Sequence, residues 1–267
     1  MGFLHEGHGA IIRQSAARCD ATVVSIFVNP TQFGPSEDLA NYPRDLERDQ
    51  NLCLEAGATV LFLPEDSEIY PTGFQTHVEP GSLAQPLCGR FRPGHFRGVA
   101  TVVAKLFNMV QPDLAFFGQK DFQQTVIIRR MARDLNLAVD VVVVPTVREA
   151  DGLALSSRNI YLDDEARRRA LCLSQGLLAA KAAFDAGERG AAKLLKLAKA
   201  PLVGVDSVQY LELVDIQNLQ PRKGQVDRTV ALCVAAYVGS TRLIDNVVLA
   251  PSATDTHLNV SLSAPNA

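Results

Sequence analysis

The 267-residue chain has no surplus of positive charge, no long uncharged apolar run and no C-x-x-C pair. Its 26 Lys and Arg stand against 29 Asp and Glu, a formal net charge of −3. The molecule therefore lacks the electrostatic footprint for duplex DNA or an anionic membrane, so neither nucleic acid nor membrane is expected as a partner and any anion site must be local. Nothing in the chain is apolar for long enough to span a bilayer, and no basic n-region precedes an apolar segment as in a secretory signal. Glu6 stands where a myristoylated N-terminus needs Ser or Thr. Cys19, Cys53, Cys88, Cys172 and Cys233 are scattered and odd in number. They suggest neither a disulfide framework nor structural zinc, and they predict reduced thiols in a cytoplasmic protein.

What is present is apolar mass: 47% of residues are hydrophobic, enough for one large domain or two modest ones. Four short apolar runs, 21–28, 59–63, 113–117 and 139–144, read as strands buried on both faces. Between them 10–18, 44–55, 98–110 and 122–135 read as helices. In the last, Ile127, Met131 and Leu135 recur every four residues beneath an outer face of Arg129, Arg130 and Arg133. Alternating strand and helix predicts an α/β fold with a doubly wound parallel sheet over 1–150. The texture then changes. Helices over 163–186 and 188–199, followed by strands over 207–214, 229–238 and 241–249, predict a smaller α+β C-terminal domain at 151–250, with a single larger domain as the alternative. Residues 251–267, rich in Ser, Pro, Asn and Thr without a period, are expected to be a flexible tail.

His5-Glu6-Gly7-His8 places two imidazoles three residues apart around a glycine. If a helix begins at 9–10, this turn sits at its N-terminus, where unpaired N–H groups and the macrodipole favour an anion such as a nucleotide phosphate. A His/Gly turn without that role and a zinc site are the alternatives. Zinc is disfavoured because the spacing is not His-Glu-x-x-His and no Cys or acidic pair lies nearby. In open parallel sheets ligands gather outside the carboxyl ends of strands, and three polar motifs follow strands here: 29–32, 118–121 and 146–148. The Asn29 and Gln32 amides suit a substrate with a hydroxyl and a carboxylate, or else stitch their own loop together. Gly118-Gln119-Lys120-Asp121 offers close backbone approach, a phosphate cation and an acid for metal or ribose, with Gln124 in the helical turn that follows. Ser156, Ser157 and Arg158 form a donor cluster suited to a phosphate clamp or to a hinge. No G-x-S-x-G elbow marks either serine as a nucleophile. Arg92, His95 and Arg97 read as a polyphosphate receiver, a subunit contact or a solvated basic loop.

Taken together, the segments 1–8, 26–34, 92–103, 116–121 and 144–159 resemble the pantoate–β-alanine ligase (pantothenate synthetase) family, in order and over Met1 to about Leu249. The resemblance implies a Rossmann-like nucleotidyltransferase domain of the HxGH type and a smaller C-terminal lid, assembled as a homodimer. It implies ATP-dependent condensation of (R)-pantoate with β-alanine through a pantoyl adenylate, with Mg²⁺ whose ligands it leaves unknown. Met1, Gly2, Phe3, Leu4, His5, Glu6, Gly7 and His8 would line the ATP site, His8 as proton donor and His5 on the phosphates. Gly118, Gln119, Lys120, Asp121, Val147, Leu155, Ser156, Ser157 and Arg158 would complete it, with Lys120 and Arg158 neutralising developing charge. Gln32 would touch pantoate and β-alanine, and Gln124 pantoate. The chain departs from the family twice. A strand and a Pro-Thr step expected ahead of Met-Gly are not in it: either the start is placed too late or the strand is lacking, and a real loss predicts unpaired strand edges and a less firmly held His turn. Leu155 stands where Met is usual, a swap that roughly conserves volume. Another adenylyl-transfer enzyme with an H-x-G-H turn, or a nucleotide-binding module without turnover, are the rival readings; a tRNA synthetase lacks a basic face to support it.

Overall fold

The structure, a computed structural model, describes residues 2–35 and 37–251. Met1 and all of the expected tail beyond Pro251 lie outside them. The elements in chain order are α1 (Glu6–Ala16), β1 (Val23–Ser25), α2 (Leu46–Glu55), β2 (Val60–Phe62), α3 (Asp66–Ile69), α4 (Cys88–Phe91), α5 (His95–Val110), β3 (Leu114–Gly118), α6 (Phe122–Asp134), β4 (Asp140–Val144), α7 (Asp164–Asp185), α8 (Ala191–Lys199), β5 (Ser207–Asp215), β6 (Val230–Val238) and β7 (Thr241–Leu249). The fold is mixed α/β, as the alternation predicts. β1 pairs with β2 in parallel from Val23↔Val60 to Ser25↔Phe62, and β3 with β4 in parallel from Leu114↔Asp140 to Gly118↔Val144. Among the described residues no ladder joins the two pairs.

Three expectations are corrected locally. α1 begins at Glu6 and not at 9–10, because His5 itself is the N-cap: it accepts from Gly7 N–H, and His8 accepts from His5 N–H, a reciprocal capping box built from two imidazoles. The run 21–28 yields only a three-residue strand. Ile26 N–H still reaches Phe62 O at 3.0 Å, but Asn29-Pro30 then turns the chain out of the ladder. Ile127 and Met131 are buried as the four-residue spacing requires, whereas Leu135 is 50% exposed: it lies past the end of α6, at the C-cap.

β5, β6 and β7 form an antiparallel sheet with β6 in the middle. Both faces of β6 are buried. Ala231, Cys233 and Ala235 join the core made by α5 and α6, while Val230, Leu232, Val234, Ala236 and Val238 join the core under α7 and α8. A strand alternating between two apolar surroundings reads as a continuous apolar run. The sheet is thus a wall shared by both parts of the chain, and it brings β7 against the carboxyl end of β3.

Candidate active site

The His turn is built at the N-terminus of α1 and tied down from three sides. Asp49 of α2, 1% exposed, accepts Phe3 N–H at 2.8 Å and Leu4 N–H. Ser157 donates to Phe3 O at 3.0 Å, and the Arg48 guanidinium lies over the Phe3 ring at 4.6 Å. The His5 and His8 ring centroids are 4.0 Å apart. In each ring Nδ1 is the acceptor in the cap, at 3.2 Å from its backbone N–H, which assigns the neutral tautomer with the proton on Nε2. Burial, reinforced by the Lys120 charge, lowers the His5 pKa to about 4. Burial and the neighbouring His5 hold His8 well below its ordinary value. The turn therefore presents two neutral Nε2–H groups near neutral pH.

The Gly118–Asp121 motif lies where β3 ends. Gln119–Asp121 form one 3-10 turn leading into α6, and α1 crosses Gly118 closely enough that an added Cβ would meet Ile11 Cδ1 at 3.4 Å. Asn246 of β7 donates to Gln119 O and Lys120 O, both at 3.0 Å. Val147 accepts from Leu155 N–H at 3.0 Å, and Arg148 makes a two-pronged pair with Asp245 at 2.6 and 2.9 Å. A cleft of about 550 Å³, lined by Gln119, Thr146, Arg148 and Asn246 among others, borders both turns.

The predicted phosphate clamp at 155–158 is engaged with the protein. Ser156 caps its own 3-10 turn by accepting from Arg158 N–H at 3.3 Å. Ser157 is committed to Phe3 O. Arg158 pairs with Asp38 through Nε at 3.0 Å and Nη2 at 2.8 Å. Burial opposes the Arg158 charge, and Asp38 more than compensates, so its pKa is raised.

Gln32 is held in a 3-10 turn over Pro30–Gln32 that begins at Asn29. Asn29 Nδ2 donates to Gln32 Oε1 at 3.0 Å and to Gly98 O at 3.2 Å, while Tyr70 donates to Asn29 Oδ1 at 2.7 Å. A Cβ on Gly98 would fall 2.5 Å from Thr31 O, so only glycine lets α5 approach this turn. His95 and Arg92 of the basic run are engaged with the protein. His95 Nδ1 donates to Gln32 O at 2.8 Å, and Arg92 bonds His95 Nε2 at 3.0 Å and Glu37 at 2.6 and 2.7 Å. Burial and Arg92 bring the His95 pKa down to about 4. Arg97 stays exposed.

Gln124 is half-buried in the first turn of α6. Its neighbour Gln123 is buried and holds the 83–88 segment through Leu83 O and Pro86 O.

The Asp121 carboxylate is a lesser influence that raises the pKa of His5, His95 and Arg158 alike. Sequence reasoning missed Asp49, Tyr70 and Asn246. A buried Asp on an otherwise polar helix and an Asp245-Asn246 pair inside an apolar strand were the available signals. Among the described residues no cluster of three or more His, Cys, Asp or Glu side chains forms a metal cage, and no helix is long and apolar enough to cross a membrane.

Residues 1–248 match the family described as pantoate-beta-alanine ligase. Pantothenate synthetase 1 of Bradyrhizobium diazoefficiens is 64% identical over 249 residues, 93% of this chain and 88% of that protein. The crystal structure of pantothenate synthetase from Thermus thermophilus superimposes with a TM-score of 0.90 at 47% identity, covering 94% of this chain and 91% of that one. Pantoate-beta-alanine ligase from Francisella tularensis, solved with β-γ ATP and β-alanine, gives 0.76 at 32% identity over 94% and 89% of the two chains. The five motifs, the parallel pairs that carry them and this likeness over nearly the whole length lead to one assignment: the chain belongs to the pantoate–β-alanine ligase family.

Proposed function

We propose that this chain joins (R)-pantoate to β-alanine at the expense of ATP. A pantoate carboxylate oxygen attacks the α-phosphorus and the bond to the bridging oxygen breaks, giving pantoyl adenylate and pyrophosphate. The β-alanine amine then attacks the acyl carbon, AMP leaves, and the amine gives up its proton. Adenylation replaces a poor leaving oxygen by a good one. The observation that supports this reading is the pair of neutral Nε2–H imidazoles at the N-terminus of α1, within the influence of the Lys120 charge, donors of the kind that meet phosphate charge.

In this reading His5 and His8 donate to the phosphates. His8 acts as proton donor once ATP's charge opposes the burial that keeps it neutral. Gly2, Phe3, Leu4, Glu6 and Gly7 shape the phosphate-facing turn, and Met1 is assigned to the ATP site by its place in the same motif. Lys120 neutralises the α-phosphate, and Gly118, Gln119, Asp121, Val147 and Leu155 surround the nucleotide. Arg158, with Ser156 and Ser157 beside it, exchanges Asp38 for the departing pyrophosphate. Gln32 orients pantoate and β-alanine, and Gln124 binds pantoate. Magnesium takes substrate phosphates and only one or two carboxylates, so the lack of a protein cage among the described residues is compatible with it. The exposed Asp121 is the carboxylate suited to meet it, and bound magnesium would supply charge neutralisation on the phosphates. Residues 151–250 serve as the covering unit. The free cysteines among the described residues suit a cytoplasmic enzyme, and the family resemblance suggests a homodimer, which sedimentation at micromolar concentration tests.

The test is pyrophosphate and AMP release with ATP, Mg²⁺, pantoate and β-alanine, omitting each in turn. Pantoate-dependent pyrophosphate and β-alanine-dependent AMP are expected, and His8→Ala slows the first step on the order of 100-fold. ATP binding without pyrophosphate release would refute the assignment.

A further inference from the structure

Asn246 lies on β7, 126 residues from Lys120 and outside every nucleotide motif, yet it is 2% exposed and fully used. Its Nδ2 donates to the successive carbonyls of Gln119 and Lys120, at 3.0 Å each, and its Oδ1 accepts from Gln119 Nε2 at 3.2 Å. Its backbone is fixed in turn: Asn246 N–H donates to Asp245 Oδ1 at 2.7 Å, and its carbonyl accepts from Arg148 Nη2 at 3.4 Å. Asp245, 4% exposed, binds Arg148 with both carboxylate oxygens. One dipeptide of β7 thereby pins two turns at the carboxyl ends of β3 and β4.

We propose that Asn246 is a positioning residue for adenylation, acting through Lys120. The proposal rests on the ligase reading above. Two adjacent carbonyls at a strand end need two donors from one point, and a side-chain amide supplies both together with an acceptor for the Gln119 side chain. Holding both carbonyls sets the direction in which Lys120 leaves the turn. A cation serves a developing phosphate charge only where it is already in place, and a displacement of about 1 Å costs on the order of 100-fold in rate. Alanine removes the side-chain donor from both carbonyls. Aspartate keeps the shape but turns oxygen toward oxygen.

The experiment compares Asn246→Ala in the wild-type and Lys120→Ala backgrounds, reading pantoate-dependent pyrophosphate release and the His5 ring titration by NMR without substrate. Thermal unfolding checks integrity, and Asn246→Asp replaces the alanine variant if that fails to fold. A loss of at least about tenfold in the first background with less than about twofold further loss in the second supports the proposal. So does a rise in the His5 pKa toward that of Lys120→Ala, since the Lys120 charge helps hold it down. Equal losses in both backgrounds, no loss, or an unmoved His5 titration overturn it. If the wild-type chain releases no pyrophosphate the ligase reading fails, and the His5 titration alone still decides whether Asn246 places Lys120.

Discussion

The roles given to the imidazoles require them to be neutral near pH 7, and that state has a consequence for folding that needs no substrate. His5 and His95 each have an ordinary pKa of 6.5 lowered to about 4 by burial. The folded form binds fewer protons than the unfolded one, so the stability they confer is complete above pH 6.5 and is lost as the pH falls toward 4. Between about pH 7.5 and 5, a shift of that size is worth roughly 2 kcal/mol for each ring, hence about 4 kcal/mol together. This is an upper value, because part of each ring still meets solvent. His8 adds to the loss in the same direction. Urea unfolding at the two pH values gives the decline for the wild-type chain, and the same pair of measurements on a His5→Asn, His95→Asn variant removes the two contributions while leaving every carboxylate in place. The variant is expected to lose several kcal/mol less than the wild type over this interval. Equal declines would mean that these rings are not held neutral by burial, and the Nε2–H donor assignment would fall with them.

Asp49→Ala leaves the Phe3 and Leu4 N–H groups unpaired in a buried site. A stability loss of about 1–3 kcal/mol by urea unfolding is expected, together with slower pyrophosphate release, as the His turn loosens. Gly98→Ala drives a methyl into Thr31 O. It should cost about 1–3 kcal/mol and raise the KM for β-alanine by displacing Gln32, and an unchanged KM would count against the Gln32 role. Asp38→Asn frees Arg158 from a pair whose members are 26% and 27% exposed. It should alter stability by about 1 kcal/mol or less while tightening ATP binding several-fold by calorimetry. Weaker binding would show that the Asp38 carboxylate serves the nucleotide better than the guanidinium it holds.

The alternation of apolar runs with helical periods was enough to specify an α/β chain and to place nearly every element, because the strand and helix spacings are local properties of the residues. β7 spans the predicted 241–249, and the polar motifs that follow strands fall at strand ends because short polar turns must follow buried strands. The candidate site residues were legible for the same reason: His5, His8, Lys120 and Gln32 belong to compact segments whose chemistry shows in the order of letters. What holds those segments was not legible. Asp49 reaches the His turn from 45 residues away, Tyr70 reaches Asn29 across 41, and Asn246 reaches Lys120 across 126. Asp49 and Tyr70 are ordinary residues in their own neighbourhoods and Asn246 stands out only as a polar residue in an apolar strand, and the partner of each is chosen only when helices and sheets pack. Packing likewise decided that Arg92, His95 and Ser157 spend their donors inside the protein and that Arg158 rests on Asp38. A buried donor takes the acceptor nearest in space, and distance in space is not written in local sequence.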